Sequence, residues 1–133
     1  GEMTRINLVR PQALSDKHLG AEYRELPRIF GLVRKAAERG ELPDDPRNPT
    51  EYTMGKGHVR FFYNKLGFIS YRYRQLCLEC QNRGRAVNFG NLEDLLQGIP
   101  QEWLGQWNPP PEATQINIQR INDRGGLRHA THP

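Results

Sequence analysis

Leu19, Tyr23, Leu26, Phe30, Val33 and Ala37 follow one another in alternating steps of four and three. That spacing puts all six on one face of an α-helix, and it predicts a helix over residues 17–39 with a single buried seam. Ser15-Asp16 supply a start signal and Gly40 a stop. Pro27 falls inside the pattern, where it has no N–H to donate and crowds the carbonyl one turn back, so a kink is expected there. Val59, Phe62, Leu66, Ile69, Tyr73, Leu76 and Cys80 repeat the three-four spacing and predict a second helix over 58–83, closed by Gly84. Two seams of similar length are expected to pack together.

The rest of the chain gives weaker patterns. Residues 41–53 carry three prolines with Asp, Asn and Arg, and read as a loop. Asn91-Leu92-Glu93-Asp94 opens a short helix ending near Gly98, and Trp103 and Trp107 follow in a proline-rich connection. Pro111-Glu112-Ala113 suits the start of a helix over 111–123. Residues 124–133 read as a flexible tail. Period-two strand patterns and repeats are missing. The expectation is a compact all-α fold in one domain, 1–133, with two long packed helices, shorter C-terminal helices and long loops; 133 residues support one core.

Charge adds a partner class. Lys+Arg 19 against Asp+Glu 15 gives a net charge of +4, a modest excess that favours a polyanion such as nucleic acid. Lys17, Arg24, Arg28 and Lys35 form a stripe along the first predicted helix with Arg34 beside it. Such a stripe either tracks phosphates or is a solvated face. Glu25 lies between Arg24 and Arg28; on spacing alone it is an i,i+3 ion pair worth about 0.2–0.5 kcal/mol. Cys77 and Cys80 share one helical turn, which excludes a disulfide across the fold and suits a reducing cytoplasm. They offer two metal ligands where zinc needs four, and His18, His58, His129 and His132 are scattered, so neither metal nor cofactor is expected. His18 and His58 fall near helix starts, where capping or packing is the ordinary role and DNA contact a secondary one. The aromatic residues are mostly core, with one or two free to stack on a base. No membrane span is expected.

Several motifs in order go further. Thr4-Arg5-Ile6-Asn7-Leu8, His18-Leu19 and Ala21-Glu22-Tyr23-Arg24-Glu25-Leu26-Pro27-Arg28 are followed by Gly57-His58-Val59, Phe61-Phe62-Tyr63, Lys65-Leu66, Glu79-Cys80 and Ile99-Pro100-Gln101-Glu102. Together they resemble the pyrimidine-dimer DNA glycosylases, the bacteriophage T4 endonuclease V-like family, over roughly residues 3 to 120. The resemblance implies a compact all-α enzyme of base-excision repair, bifunctional as glycosylase and abasic-site lyase, which forms a Schiff base through the α-amine of an N-terminal threonine. Thr4 is then the nucleophile and Glu25 the essential carboxylate. Arg5, Arg24 and Arg28 hold phosphates, and Arg34, Lys35, Arg120 and His18 are further DNA contacts. The partner implied is damaged double-stranded DNA, met by a monomer in the cytoplasm of a bacterial or phage-infected cell, on its nucleoid.

Two departures shape these expectations. Gly1-Glu2-Met3 precede Thr4, so its nitrogen is an amide until those residues are removed; either they are extra to the working enzyme or, if the native chain begins further upstream, Gly1 would have to serve or the chain be trimmed. The family's aromatic-rich C-terminus has no counterpart in Arg124-Gly125-Gly126-Leu127-Arg128-His129. The base excised therefore stays open between a pyrimidine dimer and another modified base such as a ring-opened purine. A noncatalytic DNA-binding helical module is the alternative: it explains the basic stripe but not the N-terminal motif.

Overall fold

The computed structural model describes residues 4–87 and 91–128. The helices are α1 (Asp16–Glu25), α2 (Arg28–Glu38), α3 (His58–Phe61), α4 (Leu66–Asn82), α5 (Asn91–Leu96) and α6 (Pro111–Asp123), with 3-10 turns at Pro11–Ala13 and Gln101–Trp103. Among the described residues there is no strand, only two isolated bridges, Leu14 with Leu127 and Lys65 with Leu104. The fold is all-α, as expected.

Both long helices of the sequence reading are interrupted. Ser15 caps α1, its hydroxyl accepting the His18 N–H at 3.3 Å. The helix ends at Glu25 rather than bending, because Pro27 cannot donate to the carbonyl one turn back. The Ile29 N–H donates to the Leu26 carbonyl at 3.1 Å and that of Phe30 to the Pro27 carbonyl at 3.2 Å, a tight three-residue turn that starts α2. Most of the seam survives the break: Leu19, Leu26, Phe30 and Val33 are buried, Tyr23 and Ala37 are half-buried against the core, and Ile29 and Ala36, outside the expected seam, are buried with them.

The second expected helix breaks between Phe61 and Leu66 for a tertiary reason. Lys65 leaves helical geometry to pair with Leu104, and the Asn64 amide donates to the Pro43 carbonyl at 2.9 Å. The Phe68 N–H, unpartnered within the first turn of α4, donates to the Gly105 carbonyl at 3.2 Å. Residue 67 is glycine because a Cβ there would come within 2.9 Å of the carbonyls of both Leu104 and Gly105. The seam again continues through Phe62, Leu66, Ile69, Tyr73, Leu76 and Cys80, all buried, while Val59 at its start is half-buried. Gly40 and Gly84 end α2 and α4 at φ +88° and +84°, a conformation that costs other residues.

The segment 124–128 is not a free tail. Ser15 donates its N–H to the Gly126 carbonyl at 2.8 Å, and Arg128 donates to that of Ala13 at 2.6 Å. Gly126 is buried against the His18 ring, in space that a Cβ would fill. Residues 1–3 and 129–133, with His129 and His132, lie outside the described residues. No helix among the described residues is long and apolar enough to cross a membrane.

Candidate active site

The stretch 4–9 runs along the polar face of α1, which carries His18, Glu22 and Glu25. A buried network fixes it there. Glu22 is fully buried and accepts from the Asn7 N–H at 3.1 Å, the Asn7 side-chain amide at 2.9 Å, and Arg72 of α4 at 2.8 and 2.9 Å. Arg72 also donates to the Val9 carbonyl. Asn117 of α6 closes the network, accepting the Leu8 N–H at 2.6 Å and donating to the Asn7 Oδ1 at 3.1 Å. A carboxylate and a guanidinium buried together are tolerated when their remaining hydrogen-bonding capacity is filled, as here.

That anchorage aims the preceding residues at the end of α1. Arg5 reaches Glu25, with Nε 3.6 Å from Oε1. The Glu25 Oε1 is buried and accepts no hydrogen bond among the described residues. A carboxylate oxygen so placed can accept an N–H or O–H, or stabilise a developing positive charge. Thr4 and Arg5 line a cavity of about 420 Å³ whose other polar walls are Asn7, His18 of α1, His58 of α3, Arg120 of α6 and Arg124 just beyond it. Ile6, Met54, Val59 and Ile121 supply its apolar surface. The lining is cationic, without a carboxylate, and the Arg120 Nε is buried with no hydrogen-bond partner among the described residues. Such a cavity favours an anion beside an apolar group, as a nucleotide presents.

His18 and His58 are both held towards the neutral form. Burial lowers the His18 pKa, and the charges of Arg5, Lys17 and Arg124 lower it further. Burial also lowers that of His58, outweighing the opposing effect of hydrogen bonds to backbone carbonyls. Its ring nitrogens face the Thr53 carbonyl at 2.8 Å and the Ile6 carbonyl at 3.2 Å, and a neutral ring donates to one at a time. An unfolded chain binds protons to these rings near pH 6.5, the folded one only at lower pH. Stability should therefore hold above pH 6.5 and fall as acid carries the solution through the gap towards the folded-state values. Urea midpoints measured from pH 7.5 to 5 should show that fall, and its slope should flatten in a His18→Gln, His58→Gln variant.

The remaining expected site residues divide. Arg24 is exposed at the end of α1, and Arg28 and Lys35 are exposed on α2. Arg34 stands apart, its guanidinium donating to the Gln97 carbonyl at 2.8 Å and to that of Leu95, where it caps the end of α5. Thr4, Arg5, His18 and Arg120 meet at the cavity, with Glu25 behind Arg5. The cysteines play no part: both are buried, and burial pushes both thiols up. Among the described residues no three of His, Cys, Asp and Glu come together to hold a metal ion.

A family model described as pyrimidine dimer DNA glycosylase matches residues 3–91. The chain belongs to that family. The glycosylase thus acts in DNA repair with DNA as its substrate, which favours an enzyme over a binding module. The match takes in Thr4, Glu25 and the cations of α1 and α2, while α6, with Asn117 and Arg120, lies beyond it.

Sequence reasoning missed Glu22, Arg72, Asn117 and Arg124 as parts of this centre, and gave His58 DNA contact only as a secondary role. Two of them carried a signal. Glu22 falls between Leu19 and Tyr23, and Arg72 between Ile69 and Tyr73, each within a predicted apolar stretch. Opposite charges on two faces expected to pack against each other are a buried pair in waiting. Asn117 and Arg124 gave no comparable cue.

Proposed function

We propose that the glycosylase is bifunctional: it excises a damaged base from duplex DNA and then cuts the strand at the abasic site, through an imine on the Thr4 α-amine. The carrying observation is the buried, unbonded Glu25 oxygen beside Arg5, next in sequence to Thr4 and at the edge of the cationic cavity. The reading requires that residues 1–3 be removed, since an amide nitrogen has no basic lone pair.

A terminal amine titrates near pH 8, well below lysine, so a useful fraction is neutral at pH 7. The neutral amine attacks C1′ of the deoxyribose, and the bond to the base breaks with its electron pair leaving on the base. Glu25 stabilises the positive charge that develops at the sugar. The attached amine loses a proton, its lone pair then forms the C=N bond as the C1′–O4′ bond breaks, and O4′ takes up a proton, which gives the ring-opened imine. A C2′ proton is then removed, and its electron pair flows towards the 3′ carbon and expels the phosphate; in this reading Glu25 manages those protons. Arg5, Arg24, Arg28 and Arg120 hold phosphates, and His18, neutral, contacts the sugar side. Lys35 extends the backbone contact, whereas the engagement of Arg34 with α5 argues for a structural role. No cofactor is used, and one domain acts as a monomer on the nucleoid. Distortion of the duplex is needed, because a stacked base is out of reach.

The substrate is a pyrimidine dimer or another modified base. The test is a panel of duplexes with single defined lesions, treated with protein beginning at Thr4. Strand cleavage on at least one lesion, with a borohydride-trapped complex on the same one, is expected. Cleavage of none would reject the reading.

A further inference from the structure

Helix-interior glycines normally have a visible reason. Among the described residues, Gly20 of α1 is buried beneath the guanidinium groups of Arg85 and Arg24, and Gly67 of α4 admits the carbonyls of Leu104 and Gly105. Gly31, near the start of α2, has none: apart from its two chain neighbours and the backbone of its own helix, no atom of the described residues lies within 4 Å of where its Cβ would be. Its backbone is ordinary helix without a positive φ. Alanine would fit the space and favour the helix, since glycine loses more chain entropy on folding. The molecule thus carries a helix-weakening residue that nothing within the described fold requires.

Its surroundings indicate what does require it. Arg28 lies three residues before Gly31 and Lys35 four after, so both share its face, and both are exposed. Glu38, also exposed, ends the face one turn beyond Lys35. Between the two cations the helix surface is bare backbone, beside the partly exposed Leu32. This is a shallow notch with a positive charge on either side.

We propose that Gly31 is a point of close approach for the sugar–phosphate backbone of duplex DNA, which sits against the bare α2 helix while Arg28 and Lys35 take phosphates on either side. The inference rests on the reading of this protein as a DNA glycosylase and adds a non-ionic contact to it. A methyl group there pushes the backbone off the helix and lengthens both ionic contacts.

The test uses the 133-residue chain and a duplex with one tetrahydrofuran abasic-site analogue, which needs no chemistry to bind. Gly31→Ala should raise the melting temperature by about 2–5 °C. It should also weaken binding by about fivefold or more, and Gly31→Gln, longer and equally helix-compatible, should weaken it further. No cation is removed, so many of the ionic contacts remain, and the slope of log K against log salt should change less than in Lys35→Ala. A stabilised Gly31→Ala that binds as tightly as the wild type, with Gly31→Gln also unimpaired, overturns the proposal. That outcome leaves imine chemistry untouched, because trapping at Thr4 is read separately with the trimmed protein.

Discussion

Glu25→Gln should bind a lesion-containing duplex within about threefold of the wild type and excise its base about a thousandfold more slowly. The substitution keeps the shape of the side chain and removes only the charge. Its Oε1 accepts no hydrogen bond among the described residues, so no bond to that oxygen is lost. The contact with Arg5 at 3.6 Å is partly exposed, with 25% and 18% of the two side chains accessible, and such a pair contributes at most about 1 kcal/mol to folding. What is lost is the full negative charge that the account sets against the positive charge developing at the sugar. Single-turnover excision and a binding titration on the same protein separate the two effects. Excision at the wild-type rate would remove Glu25 from the chemistry and leave an ordinary ion pair.

The second large effect lies in the fold. Glu22→Ala leaves Arg72 buried without its carboxylate and takes away the acceptor for both Asn7 donors. Breaking a buried pair on one side costs about 3–5 kcal/mol, so the melting temperature should fall by about 10–20 °C. Arg72→Ala should do comparable damage, since it strands Glu22 and frees the Val9 carbonyl. Replacing both by apolar residues, as Glu22→Leu with Arg72→Met, should recover only part of the loss. The pair can be exchanged for packing, but the Asn7 N–H then has no acceptor. Thermal unfolding of the two single variants and the double variant decides this. Excision should also slow at temperatures where each remains folded, because the network fixes the stretch that carries Thr4. Single variants that melt within a few degrees of the wild type would show that α1, α4 and the N-terminal stretch are held by other means.

These two carboxylates, one helical turn apart, show what a sequence discloses. The apolar seams fixed the faces of α1, α2 and α4, because periodicity depends only on which residues are buried. They did not disclose the breaks at Pro27 and Lys65. The first is a local effect whose size, bend or break, is decided by packing on both sides. The second comes from Leu104 and Gly105, some forty residues away, and no local pattern announces it. Glu25 looked like a surface pair until the ordered motifs were set beside it; Glu22, more deeply buried and more heavily bonded, was given no role from the sequence. Arg120 was reached through the resemblance alone. Arg124 was assigned to a tail, because a glycine pair after a helix looks mobile until Gly126 is seen against His18.

The central claim concerns a single nitrogen. It is tested by treating two forms of the protein, the 133-residue chain and one beginning at Thr4, with borohydride and an abasic-site duplex, then locating any adduct by mass spectrometry of the digested protein. The account predicts a covalent adduct on the Thr4 α-amine in the trimmed form and none at residue 4 in the longer one. An adduct on a lysine in both forms, or no adduct in either, would contradict it.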